Sequence, residues 1–207
     1  MYHVHIMEDV CTLALLLDDS EARAEMASTW SGMAECLAWM RHPDVEVAWF
    51  NDGAMRSVMK PDDMLNLGAT LRAPCDPASR TGGRYFSDFG MCVFHGDPWS
   101  VFFDVGPIGP GCQPGHAHAD SLSVESSWKG RRLFVDPGTH SYDLNAVRAY
   151  DRSTDSHNTV CIDRTDSSEC WHIFRVGRRA HPLGVQVAYA PNEMTAEAAH
   201  DGYDRLP

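Results

Sequence analysis

The sequence predicts an α+β chain, with a helical first part followed by an antiparallel β domain. Three observations predict it. Apolar side chains recur at helical spacing as far as residue 40, a stretch rich in proline and glycine interrupts the chain at residues 72–83, and short β-prone runs separated by turn residues follow.

The elements can be justified in order. From Val4 to Leu17 the apolar positions become nearly continuous through Val10-Cys11-Thr12-Leu13-Ala14-Leu15-Leu16-Leu17, which reads as a helix buried on most of its sides. Asp18-Asp19-Ser20 offers an N-cap for a second helix, in which Ala22, Met26, Trp30, Met33, Leu37 and Met40 return at spacings of three and four. That stripe of aromatic and methionine side chains is packing surface rather than a ligand site. The helix must end before His42-Pro43, because the residue preceding a proline is biased away from helical geometry. Between Asp44 and Leu71 the signals are mixed: Val45-Glu46-Val47-Ala48-Trp49-Phe50 is β-prone, Asn51-Asp52-Gly53 reads as a turn, and Pro61 suits the start of a short helix.

Residues 72–83 read as the linker, giving a helical part over 1–74 and a β part over 84–207. In the β part the runs 90–95, 100–105, 121–128, 131–135, 158–163 and 172–176 are β-prone. Lys129-Gly130 is the expected tip of a hairpin that carries the approaches of His118 and Asp136 close together.

Composition bounds the function. With 207 residues and 43% apolar content, the chain can bury a sizeable core. It contains no apolar run long enough to span a bilayer, and Met1-Tyr2-His3-Val4-His5 lacks the basic start of a signal peptide. The net charge of −12 argues against a general nucleic-acid surface. Seven cysteines form no Cys-x-x-Cys pair and read as reduced, mostly buried thiols. Lys129, Arg131, Arg132, Arg148, Arg152, Arg164, Arg175, Arg178 and Arg179 gather more than half of the 17 basic side chains within one stretch. They suit either a track for an anionic sugar or a solvated strand face with acidic partners such as Asp143, Asp151 and Asp163.

The densest chemistry lies in Gly115-His116-Ala117-His118-Ala119-Asp120, Val135-Asp136-Pro137-Gly138-Thr139 and His157-Asn158-Thr159. On an extended segment two histidines one residue apart point the same way, since side chains alternate with a period of two. An Asp before Pro-Gly is more often a turn residue, and a single His is more often merely hydrogen-bonded. Taken together, His118, Asp136 and His157 offer two nitrogens and an oxygen, a ligand set that suits zinc with one position left open. Gly115 permits close backbone approach, and Pro137-Gly138 a tight turn.

These motifs, with Phe86-Ser87-Asp88-Phe89-Gly90, Pro114 through Ser123, Leu133 through Thr139, Ser141-Tyr142, Arg152-Ser153-Thr154 and His157 through Val160, resemble the heparinase II/III family of polysaccharide lyases. Tyr2-His3, with Glu8-Asp9 beyond, is similar to the last toroid helices of that family. The resemblance implies the end of an (α/α) toroid followed by an antiparallel β-sandwich domain, with an active site between them. It also implies that the chain is a fragment, lacking most of the toroid and ending within the β domain, and that the parent protein is periplasmic or secreted.

The implied activity is β-elimination at a 4-linked uronic acid of an acidic polysaccharide, which needs the carboxylate neutralised, the C5 proton removed and the leaving oxygen protonated. By resemblance His116 is the histidine of the acid/base pair, and Tyr2 acts as base, acid or both, while Tyr142 or Tyr150 assists at the leaving group. His118, Asp136 and His157 hold one zinc ion of structural role. Asn158 and Arg152 contact the substrate carboxylate, support the metal shell or anchor loops.

Other readings fit less well. A cupin-type metal enzyme carries a His-x-His pair followed by a Glu, but here Glu125 comes too late and the helical third has no place. A truncated, inactive piece acting as a carbohydrate-binding β module is the non-enzyme alternative. No Gly-x-Ser-x-Gly elbow or phosphate-binding loop is present.

Overall fold

A computed structural model describes residues 2–54, 59–73, 75 and 80–206. The chain forms two compact units. One comprises Met1–Val47 with Met55–Arg80, and the other Ala48–Ala54 with Thr81–Pro207. Part of the expected linker, at Pro74 and residues 76–79, lies outside the described residues.

The helical unit holds α1 (Tyr2–Leu16), α2 (Ser20–Trp39) and α3 (Pro61–Leu67). Asp19 caps α2, its side chain accepting from the backbone N–H groups of Glu21 and Ala22. The core is apolar: Val4, Met7 and Cys11 of α1 pack with Trp30, Ala34 and Leu37 of α2 and with Met64 and Leu65 of α3. The expectation that α1 is buried on most sides is corrected. Val4, Met7, Val10, Cys11 and Ala14 form its buried stripe, whereas Ile6, Leu13, Leu15 and Leu16 are exposed. A helix packed on α2 and α3 covers one stripe at spacings of three and four, so an all-round apolar sequence leaves its far side uncovered.

The second unit is built on a five-stranded antiparallel sheet in the order β1 (Gly82–Phe86), β2 (Met91–Gly96), β3 (Trp99–Asp104), β4 (Val124–Trp128) and β5 (Arg131–Phe134). Lys129 and Gly130 both take positive φ, at 49° and 78°, as a two-residue hairpin requires, and they join β4 to β5 where the sequence placed the turn. β6 (Cys170–Trp171) and β7 (Arg175–Val176) form a small hairpin, and β8 (Pro182–Ala190) pairs with β9 (Glu193–His200).

Register sorts the sheet into two faces. Cys92, Phe94, Val101, Phe103 and Val124 share one face with Met194 and Ala196 of β9, around an apolar cleft of about 440 Å³. Gly83 sits close beneath Tyr189, so β8 and β9 lie as a second layer over this face. Val93, Ser100, Phe102 and Glu125 point to the other face, where the backbone N–H of Trp49 donates to the Glu125 carboxylate.

Two element expectations change. Residues 158–163 form no strand, only an isolated bridge from Ile162 to Thr165. The run 172–176 is the turn and return strand of the β6–β7 hairpin rather than one strand. The open order of the sheet is also not a cupin barrel. No helix among the described residues is long and apolar enough to cross a membrane.

Candidate active site and metal centre

The site gathers at the end of the sheet where β4 begins and β5 finishes. β4 and β5 are antiparallel, so His118, which precedes β4, and Asp136, which follows β5, reach the same end. His157 arrives from a short 3-10 turn at Thr154–Ser156. Hydrogen bonds tie these approaches together: Ala119 N–H donates to the Arg152 carbonyl (3.0 Å), and Thr154 Oγ1 donates to the Ala119 carbonyl (2.7 Å). Pro137-Gly138 turns the chain against residues 48–54. Gly138 has φ of 59° and lies so close to the Gly53 carbonyl that any side chain would collide, while Thr139 N–H donates to that carbonyl at 2.8 Å.

One ligand atom from each of His118, Asp136 and His157 lies within 4.8 Å of the other two, and all three residues are buried. His157 Nδ1 is 2.7 Å from Asp136 Oδ2, and Asp136 Oδ1 accepts from Gly138 N–H at 3.0 Å. His118 Nδ1 and His157 Nε2 are buried without a hydrogen-bond partner. An orphaned buried polar atom is costly. Two such imidazole nitrogens beside a carboxylate are a donor set that a divalent cation takes, so the residues fit zinc.

Charge points the same way. Burial raises Asp120, against the pull of His157 and His118, and Asp120 has an unpartnered buried Oδ2. Burial and the neighbouring charge of Asp120 raise Asp104. Burial pushes Glu125 up to about 8 despite the Trp49 N–H. Burial alone would lower His157, but the hydrogen bond and charge of Asp136, with Asp120 behind, raise it instead. Several buried acids beside the histidine pair make a pocket that a divalent cation would neutralise.

His116 is not part of the triad. It ends a 3-10 turn over Pro114–His116, keeps 39% of its side chain exposed, and places Nδ1 2.7 Å from Asp52 Oδ2. His118 Nε2 lies 2.9 Å from Asp52 Oδ1, so the two histidines of the His-x-His pair converge on one carboxylate. Asp52 is buried and bound through both oxygens by Arg148. Burial would raise Asp52, but hydrogen bonds from His118, Arg148 and His116 outweigh it and hold the acid at about 2. Asn51 contributes as well, its side-chain oxygen accepting from His118 N–H at 3.2 Å.

Tyr142 stands beside His116, with ring centroids 6.0 Å apart, and Phe174 packs on both, at 5.3 Å from His116 and 5.2 Å from Tyr142. A cleft of about 520 Å³ opens here, lined by Gln113, Pro114, Gly115, His116, His172, Phe174 and Arg175. Gly115 has no side chain to displace Phe174, whose carbonyl would lie 3.3 Å from a Cβ there. Tyr150 is 56% exposed on the short helix α4 (Ala146–Asp151). Tyr2 lies exposed on α1 of the helical unit.

Of the three readings of Arg152, its hydrogen bonds are those of a loop anchor. Arg152 is 2% exposed and spends its donors on the carbonyls of Ala117, Trp171 and His172. Arg148 does likewise at the Ile173 carbonyl. The two arginines pin the β6–β7 turn and thereby hold Phe174 against His116, and neither lies on a solvent-facing cationic track. Asn158 is a loop anchor, its amide donating to the Val135 carbonyl at 3.0 Å. Asp52 and Arg148 are the site residues that the sequence reading missed.

The comparisons agree with this architecture. Residues 78–207 match the family model described as heparinase II/III-like, C-terminal, and the chain belongs to that family. Among solved structures, a methylated-lysine form of the heparinase III BT4657 gene product is 20% identical with a TM-score of 0.69, over 98% of this chain and 33% of that one. A heparinase III structure is 15% identical with a TM-score of 0.65, over 97% and 37%. The heparan sulfate lyase HepC from Pedobacter heparinus is 16% identical with a TM-score of 0.60, over 97% and 35%. Such identities establish the fold alone, and the chain spans about a third of the length of these structures. No curated protein matches the sequence significantly.

Proposed function

We propose that this member of the heparinase II/III-like family carries the histidine side of a polysaccharide lyase site, cleaving a 4-linked uronic acid by β-elimination. The observation that carries the reading is His116, partly exposed at the wall of the 520 Å³ cleft, with Tyr142 and Phe174 against its ring. A base and acid must reach C5 and the glycosidic oxygen from one small volume, and an imidazole beside a phenol supplies both kinds of group.

In the proposed reaction a base takes the C5 proton. The freed electron pair forms the C4–C5 double bond, the C4–O bond breaks, and the leaving oxygen receives a proton. His116 serves in this acid/base pair. Tyr2, from the helical unit, is the proposed tyrosine by resemblance, and Tyr142 is the phenol that the geometry sets beside His116. Phe174 offers an apolar face for a sugar ring, and Arg175 and His172 line the same cleft with groups suited to an acidic substituent.

His118, Asp136 and His157 are the proposed ligands of one zinc ion. When bound, the ion supplies fixed positive charge among the buried acids and a rigid anchor for the segment that carries His116. Arg148 and Arg152 hold the opposite wall in place.

Incubating the chain with a panel of uronate polymers and following the ultraviolet absorbance of the new C4–C5 double bond tests the reading. The expected result is unsaturated product from at least one polymer, reduced by a factor of about 10² or more in His116→Ala. Oligosaccharide binding without unsaturated product would favour the alternative, a carbohydrate-binding β module without turnover.

A further inference from the structure

We propose that Asp52 is the positioning residue of this site: one buried carboxylate that fixes the proton of His116 on Nδ1 and the proton of His118 on Nε2, orienting the acid/base histidine and a metal ligand together. The consequence for turnover rests on the lyase reading above. The orientation itself rests on geometry alone.

Asp52 Oδ2 lies 2.7 Å from His116 Nδ1, and Oδ1 lies 2.9 Å from His118 Nε2. An ionised carboxylate only accepts hydrogen bonds, so each nitrogen that bonds to it carries the proton. Arg148 Nη1, a donor that also lies 3.4 Å from His118 Nε2, is the longer contact there and donates to Asp52 Oδ1 instead. In a neutral imidazole one N–H leaves the other nitrogen with its lone pair. For His118 that other nitrogen is Nδ1, one of the buried atoms without a partner, which is the atom a metal would need. For His116 it is Nε2, which Asp52 thereby keeps as the basic nitrogen.

The carboxylate is itself held. Arg148 grips both of its oxygens, donates to Thr139 Oγ1 at 2.8 Å, and binds the Ile173 carbonyl through Nε and Nη2. Asp52 cannot turn away from one histidine without giving up that fork. The Asp of a Ser-His-Asp triad holds its histidine by the same logic. The difference is that Asp52 serves two rings, so the state of the metal ligand and the state of the acid/base group share one acceptor.

The competing description makes Asp52 only the ion-pair partner of Arg148, which would leave the histidine tautomers to other contacts. Long-range ¹H–¹⁵N correlation spectra of the zinc-loaded chain with labelled histidines separate the two. We expect His116 protonated at Nδ1 and His118 at Nε2. His116 protonated at Nε2 overturns the proposal, and this result needs no variant.

Asp52→Asn adds the second reading. An amide of the same shape has one accepting oxygen and one donating nitrogen, so it cannot accept from both rings, and one of the two histidines should reverse its tautomer. Both rings unchanged in Asp52→Asn would also overturn the proposal. Zinc affinity is expected to fall by about 10–100-fold, and turnover of an active substrate by about 10²–10⁴ in kcat with little change in KM. A wild-type chain that turns over no uronate polymer would sink the lyase reading while leaving both spectra to decide the role of Asp52.

Discussion

The helical unit buries Val4, Met7, Trp30, Leu37, Met64 and Leu65, whereas the β unit buries His118, Glu125, Asp136, Arg148, Asp151 and Arg152 to the same degree, with His157 buried beside them. Both interiors are closed to solvent, but they are held differently. Apolar side chains need only volume and shape to match, and each contributes by leaving water. Buried charges contribute only if every partner is present with good geometry, because a lone one is costly. The first interior tolerates change by degrees. The second fixes the positions of particular atoms, and it is there that His116 and the candidate metal ligands are found.

This contrast can be broken most directly by one truncation in each unit. Trp30→Ala should cost about 3–5 kcal/mol, since it removes the largest fully buried side chain of the helical core. Arg148→Ala should cost a similar amount, about 3–5 kcal/mol, by leaving Asp52 buried without its fork. Thermal unfolding followed by tryptophan fluorescence should show each loss in its own unit. Equal loosening of both units by either change would mean that the two interiors are not independent.

The pH dependence sharpens the comparison. Glu125, Asp104, Asp120 and His157 all have raised pKa values in the fold. Each binds its proton more tightly folded than unfolded, so its stabilisation is complete below the unfolded value and is lost as pH rises through the folded one. For Glu125 that window runs from 4.5 to about 8. The metal-free chain should therefore lose stability in its β unit as pH rises through this window, on the order of 1.4 kcal/mol per pH unit for each group titrating. Zinc should reverse the trend, because a protonated His157 cannot ligate and metal affinity falls toward acid. Melting curves of the stripped and loaded chain at several pH values check this, and parallel slopes would contradict it.

The smallest effect tests the helical side. Asp19→Ala removes the cap that receives the Glu21 and Ala22 N–H groups and should cost about 1 kcal/mol. The cost should register in the unfolding midpoint with no change in metal content.

How much of this was legible in the sequence follows the same division. The apolar spacing around Trp30 and the Lys129-Gly130 hairpin depend on local rules and could be read directly. His118, Asp136 and His157 were legible as a set because each sits in a short motif. Asp52 was not, since Asn51-Asp52-Gly53 has the composition of an ordinary turn and the partner histidines come far later in the chain. No signal in the residues themselves says that this turn is drawn into the β unit. The burial of Arg148 and Arg152 was not legible for a related reason: arginine is rarely fully buried, and only the carbonyls and carboxylate that surround these two explain the exception. The exposed side of α1 shows the converse, an apolar run whose length says nothing of how many neighbours it has. The strands β8 and β9 lay beyond the runs singled out as β-prone, and their role as a second layer depends on Gly83 admitting Tyr189.

In the proposed arrangement a metal ion held by His118, Asp136 and His157 would organise the polar interior of the β unit, with His116 outside the ligand set. Elemental analysis of the purified chain, of His118→Ala and of His116→Ala tests it most directly. The account predicts about one zinc per wild-type chain, loss in His118→Ala and retention in His116→Ala. A folded wild-type chain without bound metal, or equal retention in both variants, would contradict it.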